Sequence, residues 1–202
     1  MKPAQVRSFA PIANARARVL ILGSMPGKAS LAAGQYYAHP QNLFWRILGE
    51  FTGAGPPVAY AARTRALKSR GIALWDVLES CIREGSLDSA IDDATISAND
   101  FAGFYRAHPR IAHVFFNGAK AAACYRKHVL PALGDAPAPR SHQRLPSTSP
   151  ANASMSRAHK QRVWRTALRQ ALACNGDADG ASRTCALLQR RRIDEDEFTK
   201  TW

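Results

Sequence analysis

Four short apolar runs recur along the chain, too far apart to be joined as hairpins. Residues 17–23, 71–78 and 111–117, with a weaker run leading into 144–147, each close on a turn or a polar residue. A strand buried on both faces shows such an unbroken apolar run instead of alternation. Helical patterns separate them at 42–51, 58–70, 97–108, 119–129 and 156–173. In the last of these Val163, Trp164, Ala167, Leu168, Ala171 and Leu172 make one apolar stripe, and arginines and a lysine take the other face. Strands alternating with helices in this way predict an α/β fold, a three-layer αβα sandwich with a mostly parallel sheet.

The first run carries most of the chemistry. VLILG breaks at GSMPG (23–27), and a polar, aromatic loop leads to a helix opening near Asn42. A strand ending in a glycine-proline turn presents backbone N–H groups at the carboxyl edge of a sheet, where open α/β folds bind ligands. Tyr36, Tyr37, His39, Gln41 and Asn42 then form a set suited to a flat, hydrogen-bonding ligand such as a nucleobase.

Charge sharpens the picture. The 202 residues carry a net +13, distributed unevenly. Residues 1–49 contain no acid but include Lys2, Arg7, Arg16, Arg18, Lys28 and Arg46. Residues 136–176 again contain none, against Arg140, Arg144, Arg157, Lys160, Arg162, Arg165 and Arg169. Two acid-free blocks meeting on one face would hold a phosphate backbone. No apolar run approaches the ~20 residues that span a bilayer, and the start of the chain lacks the apolar core of a signal peptide. A cytoplasmic, nucleoid-associated protein is expected. Cys81, Cys124, Cys174 and Cys185 have neither zinc-site nor disulfide-framework spacing, so reduced thiols and no metal are expected.

Three further segments reach the same sheet edge. GSMPGKAS fails as a P-loop, because three residues separate its glycines and Ala29 follows Lys28. LPSTSPAN (145–152) offers hydroxyls beside backbone N–H groups, good phosphate ligands or an ordinary surface turn. Asp76 closes the second strand and either reads a ring N–H or caps a helix; Asn117 closes the third and is either a ligand group or an N-cap. After Asn175 a glycine-aspartate linker and clusters of both charges indicate a flexible or docked tail, 175–202, beyond a body at 1–174.

Together GSMPG, YYAHPQNLFW (36–45), ALWDVLES (73–80), VFFNGAKAA (114–122) and LPSTSPAN resemble the uracil-DNA glycosylase superfamily, and most closely its hypoxanthine-DNA glycosylase branch. The resemblance covers residues 15–170. It implies a central four-stranded parallel sheet between helices, and a monofunctional DNA N-glycosylase that flips a deaminated base and hydrolyses its N-glycosidic bond. Tyr37 falls at the aromatic that stacks on the base, Asn42 at the catalytic asparagine, and Asp76 near a base-reading position. Ser147 falls at the phosphate-binding serine, and 149–152 at the wedge loop.

Two departures stand out. Met25 replaces the Asp or Asn that relatives use on water, and Leu145 replaces a histidine that stabilises the leaving base. Asn42 therefore carries the catalytic expectation, with backbone N–H groups around Ser24 assisting. Base contact is assigned to Tyr37, Asp76, Asn117 and His39. DNA contact falls to Lys28, Arg144, Ser147, Thr148, Ser149 and Asn152. No cofactor is implied, and the expected partner of a monomer is DNA bearing uracil or hypoxanthine, or its abasic product. Uracil and hypoxanthine both set a carbonyl beside a ring N–H; superfamily frequency favours uracil and the branch hypoxanthine, and the expectation leans slightly to uracil with hypoxanthine kept open. A catalytically silent binder of damaged DNA is the alternative, motivated by Met25 and Leu145.

Overall fold

A computed structural model describes residues 5–173. The tail expected at 175–202 lies outside the described residues. In chain order the elements are β1 (Gln5–Arg7), β2 (Val19–Gly23), α1 (Lys28–Ala33), α2 (Phe44–Thr52), α3 (Tyr60–Ser69), β3 (Ile72–Asp76) and β4 (Leu78–Arg83). They continue with β5 (Ile91–Ala98), α4 (Phe101–Ala107), β6 (His113–Asn117), α5 (Ala119–Cys124), β7 (Ser141–Leu145) and α6 (Arg157–Ala173).

The four apolar runs are the four strands of one parallel sheet, ordered β3-β2-β6-β7 and flanked by helices. Every residue of β2 and β3 is buried, which is why both read as unbroken apolar runs. The edge strand β7, SHQRL, is largely open to solvent, which explains its weak signal. It ends at Leu145, so Pro146 and Ser147 belong to the loop and not to the strand as expected.

The pleat sorts side chains by row. Trp75, Leu22 and Phe116 lie in register across three strands. Trp75 packs on Phe101 and Phe104 of α4, and Phe116 on Tyr125 beyond α5. The next row points to the opposite face. It consists of Asp76 beside Gly23, then Asn117 beside Leu145, at the carboxyl ends of all four strands.

A second sheet, antiparallel and ordered β1-β4-β5, was not expected. β1 is short, β5 is mostly open or half-buried, and β1 pairs with β4 from 75 residues away, so no local pattern marks the sheet. Two boundaries shift because of it. The run at 71–78 divides between β3 and β4, and the helix expected from 97 starts at Phe101, since Ser97 and Ala98 pair in β5. Asp100 caps that helix by accepting from the Gly103 N–H at 2.8 Å. Residues 28–33, expected as loop, form the short helix α1. The helix at 119 continues past Cys124 through a π-helical turn at Tyr125–Val129. Cys81 and Cys124 are free and buried; the other two cysteines lie outside the described residues. Among the described residues no helix is long and apolar enough to cross a membrane.

Helix α6 joins the core to the last loop. Trp164 is fully buried, edge-on to Phe44 at 6.4 Å, and its indole N–H donates to the Pro146 carbonyl at 2.8 Å. Trp164→Ala empties that volume and frees the loop, so we expect a loss of about 3–5 kcal/mol in urea denaturation.

Candidate active site

The last row of the sheet forms the floor of a cavity of about 600 Å³. Position 23 must be glycine there. A Cβ on Gly23 would fall 2.3 Å from Asp76 Oδ1 and 2.9 Å from Tyr37 Oη. Asp76 is 3% exposed, and its Oδ2, like Tyr37 Oη, is buried without a hydrogen-bond partner among the described residues. Burial pushes the Asp76 carboxyl up to about 8; the charge of Asp88 adds to this, and the Arg83 guanidinium opposes it. At neutral pH Asp76 is therefore largely a neutral acid, with one donor and one acceptor. Burial and then the Asp76 charge also raise the Tyr37 phenol, against a smaller opposite pull from Asn117.

Tyr37 reaches this position through a left-handed backbone, φ 54°, which is unusual for an aromatic residue. Its ring stacks on Phe44 at 4.0 Å and 20°, so one face is already covered. Tyr36 anchors the loop from below, donating to the Phe9 carbonyl at 3.1 Å while the Trp45 indole N–H donates to its own carbonyl at 2.8 Å. Asn42 lines the cavity, and its Oδ1 accepts from the Phe44 N–H at 3.0 Å at the mouth of α2. That bond fixes the carboxamide and leaves Oδ1 a second lone pair. His39 is exposed on the rim, with Nδ1 accepting from the Gln41 N–H at 3.2 Å.

The opposite bank is braced from within. Asn117 Nδ2 donates to Thr148 Oγ1 at 2.9 Å, and the Thr148 N–H returns a bond to Asn117 Oδ1 at 2.8 Å. The Thr148 carbonyl accepts from the Leu43 N–H at 3.1 Å, tying this loop to the Tyr37 loop. Three expectations are refined here. Thr148 is fully buried, so its hydroxyl braces the loop instead of meeting DNA. Asn117 lines the cavity and commits one N–H and one lone pair to that brace, leaving the second of each. Lys160, expected on the positive surface, is buried beneath the loop and donates to the Ser149 and Asn152 carbonyls. Asn152 Nδ2 also donates to the Ser147 carbonyl at 3.3 Å. Ser147, Ser149 and Asn152 line the cavity, and Lys28 does so from the start of α1; Arg144 is exposed on β7 but does not line it.

The β4–β5 hairpin supplies a third bank that sequence reasoning missed. Ser86, Leu87, Asp88 and Ser89 line the cavity. Ser24 Oγ donates to Asp88 Oδ1 at 2.5 Å, and the Lys28 N–H donates to Ser86 Oγ at 2.9 Å. Buried Arg83 donates through Nη2 to the Pro26 carbonyl at 2.5 Å. The sequence shows only a polar GSLDS turn here, with nothing to connect it to GSMPG. Among the described residues no group of three or more His, Cys, Asp or Glu is arranged to hold a metal.

Residues 10–173 match the family model described as the uracil DNA glycosylase superfamily. The chain belongs to that superfamily. It is 40% identical over 116 residues to a hypoxanthine DNA glycosylase of Methanosarcina acetivorans, covering 57% of this chain and 72% of that protein. A hypoxanthine DNA glycosylase of Methanosarcina barkeri is 41% identical over 115 residues, 56% and 72% of the two chains. The solution NMR structure of a candidate uracil DNA glycosylase from M. acetivorans superposes with a TM-score of 0.68 at 35% identity, covering 83% of this chain and 99% of the other. The expected parallel-sheet fold and the expected enzyme class, a DNA N-glycosylase, agree with these superfamily relatives.

Two consequences for this superfamily member are measurable. The folded chain holds the Asp76 proton up to about pH 8, whereas an unfolded Asp releases it near its ordinary value of 3.8. Folded protein thus binds more protons in that window, and stability falls as pH rises through it, by about 1.4 kcal/mol per unit at most. Asp76→Asn should flatten the slope in urea midpoints taken from pH 4 to 9. Gly23→Ala should displace Asp76 or Tyr37 and destabilise by about 1–3 kcal/mol in the same assay.

Proposed function

We propose that this DNA glycosylase excises hypoxanthine, with uracil as a second substrate, after rotating the nucleotide out of the duplex. The observation that carries this is the pair of unpartnered oxygens, Asp76 Oδ2 and Tyr37 Oη, at the deep end of the cavity. A deaminated base offers a ring N–H beside a carbonyl. Asp76 accepts the N–H and Tyr37 donates to the carbonyl. The cavity volume suits a purine, and the Methanosarcina relatives support hypoxanthine over uracil. Extrusion costs a few kcal/mol, least at a mispaired base, which adds selectivity.

Asn42 orients water toward the sugar carbon through the free lone pair of Oδ1. Positioning and electrostatics supply the rate, since an amide cannot take a proton. In this reading the stacking role expected of Tyr37 gives way to its Oη, because one ring cannot lie face-on to the base and meet its edge at once. Lys28, Ser147, Ser149 and Asn152 hold flanking phosphates, Arg144 extends that contact along β7, and His39 guards the rim. The chain acts as a monomer on chromosomal DNA in the cytoplasm and releases an abasic product.

Base release from oligonucleotides containing inosine, uracil, xanthine or a thymine mismatch tests this reading. We expect inosine to be processed fastest. Asn42→Ala should slow release by about 100-fold or more while leaving DNA binding nearly intact. Tight binding to inosine-containing DNA without release from any of the four would instead support the silent binder, which Met25 and Leu145 favour.

A further inference from the structure

We propose that Asp88 is a catalytic residue, whose carboxylate takes the proton of the water that attacks the sugar. The inference rests on the glycosylase reading and supplies what that reading lacks. Met25 is buried in the turn and brings no proton acceptor, and Asn42 is an amide. The β4–β5 hairpin brings a carboxylate to the same turn from the other side. Asp88 lines the cavity and accepts from Ser24, the neighbour of Met25 in the chain.

The placement is built and not incidental. Arg83 to Pro26, the Lys28 N–H to Ser86, and Ser24 to Asp88 are three hydrogen bonds from one hairpin to residues 24–28. They hold Asp88 at a fixed position although its side chain is open to solvent. Depth in the cavity sorts the roles further. Asp76 lies at the buried floor, where the base ends, so the sugar comes to rest nearer the rim, between Asn42 and Asp88. His39 is also on the rim, but its Nδ1 is bonded within its own loop.

A carboxylate at the rim also opposes DNA binding, because the phosphates approach the same rim. At the sugar the same charge favours the cationic transition state. In the step itself, the water oxygen bonds to C1′ as the C1′–N bond breaks. The bonding pair leaves with the base, and the water proton passes to the Asp88 oxygen that Ser24 does not hold. Solvent then carries that proton from Asp88 to the departed base.

The test uses single-turnover release of hypoxanthine from inosine-containing duplex, with binding measured separately by fluorescence anisotropy. Asp88→Asn keeps an acceptor for Ser24 but removes the charge. We expect its rate to fall by about 100-fold, with affinity equal to or tighter than that of the natural protein. Asp88→Glu should recover part of the rate, and Glu84→Gln, on the same hairpin but outside the cavity, should leave it unchanged. A rate for Asp88→Asn within about threefold of the natural protein overturns the assignment and leaves the glycosylase reading standing. A loss accounted for entirely by weaker binding overturns it too. Absence of base release by the natural protein from both inosine- and uracil-containing DNA would overturn both.

Discussion

A carboxyl and a phenol meet at the deep end of this cavity because the strand between them has no side chain at position 23. Any Cβ there would sit inside the contact distance of Asp76 Oδ1 and Tyr37 Oη. The rest of the site follows from that close approach. Asp76 is drawn into the floor and away from water, which keeps it protonated to an unusual pH. Tyr37 is drawn over β2, at the cost of a left-handed backbone, and its ring comes to lie on Phe44. Phe44 in turn meets Trp164 edge-on, so the position of one phenolic oxygen is transmitted through ring contacts to α6.

The banks above this floor are held by buried polar groups more than by apolar packing. Thr148, Asn117 and Lys160 would each be costly to bury alone. Each is buried because it meets backbone or another buried amide; the Asn117–Thr148 bonds join segments distant in sequence, while Lys160 reaches back from the start of α6 to the loop just before it. Removing one partner would strand the other, so these bonds make the loops rigid at a cost larger than their net strength. A site for an extruded nucleotide gains from that rigidity, because binding then orders little of the protein.

What the sequence made legible divides along physical lines. Strands buried on both faces announce themselves as apolar runs, and all four central strands were readable, with β7 weakest because it lies at the edge. The GSMPG turn and the Tyr37–Asn42 loop could be placed at one sheet edge by topology alone. Roles depending on a partner far along the chain were not readable. Nothing in a threonine, an asparagine or a lysine tells whether it will face phosphate or a carbonyl beneath a loop, as Thr148, Asn117 and Lys160 show. The β4–β5 hairpin was missed for the same reason: its strands are polar on one side, and its pairing with β1 leaves no local trace.

The exchange of two hydrogen bonds between Asn117 and Thr148 has a bearing on substitution. Only the bond to Thr148 Oγ1 depends on the threonine side chain; the bond from the Thr148 N–H to Asn117 Oδ1 survives any residue but proline at 148. Asn117 is therefore the less replaceable of the two, because losing its carboxamide leaves a buried N–H and a buried hydroxyl without it. The anchor of the segment from Leu145 to Asn152 thus lies outside that segment, on β6, independent of any contact with DNA.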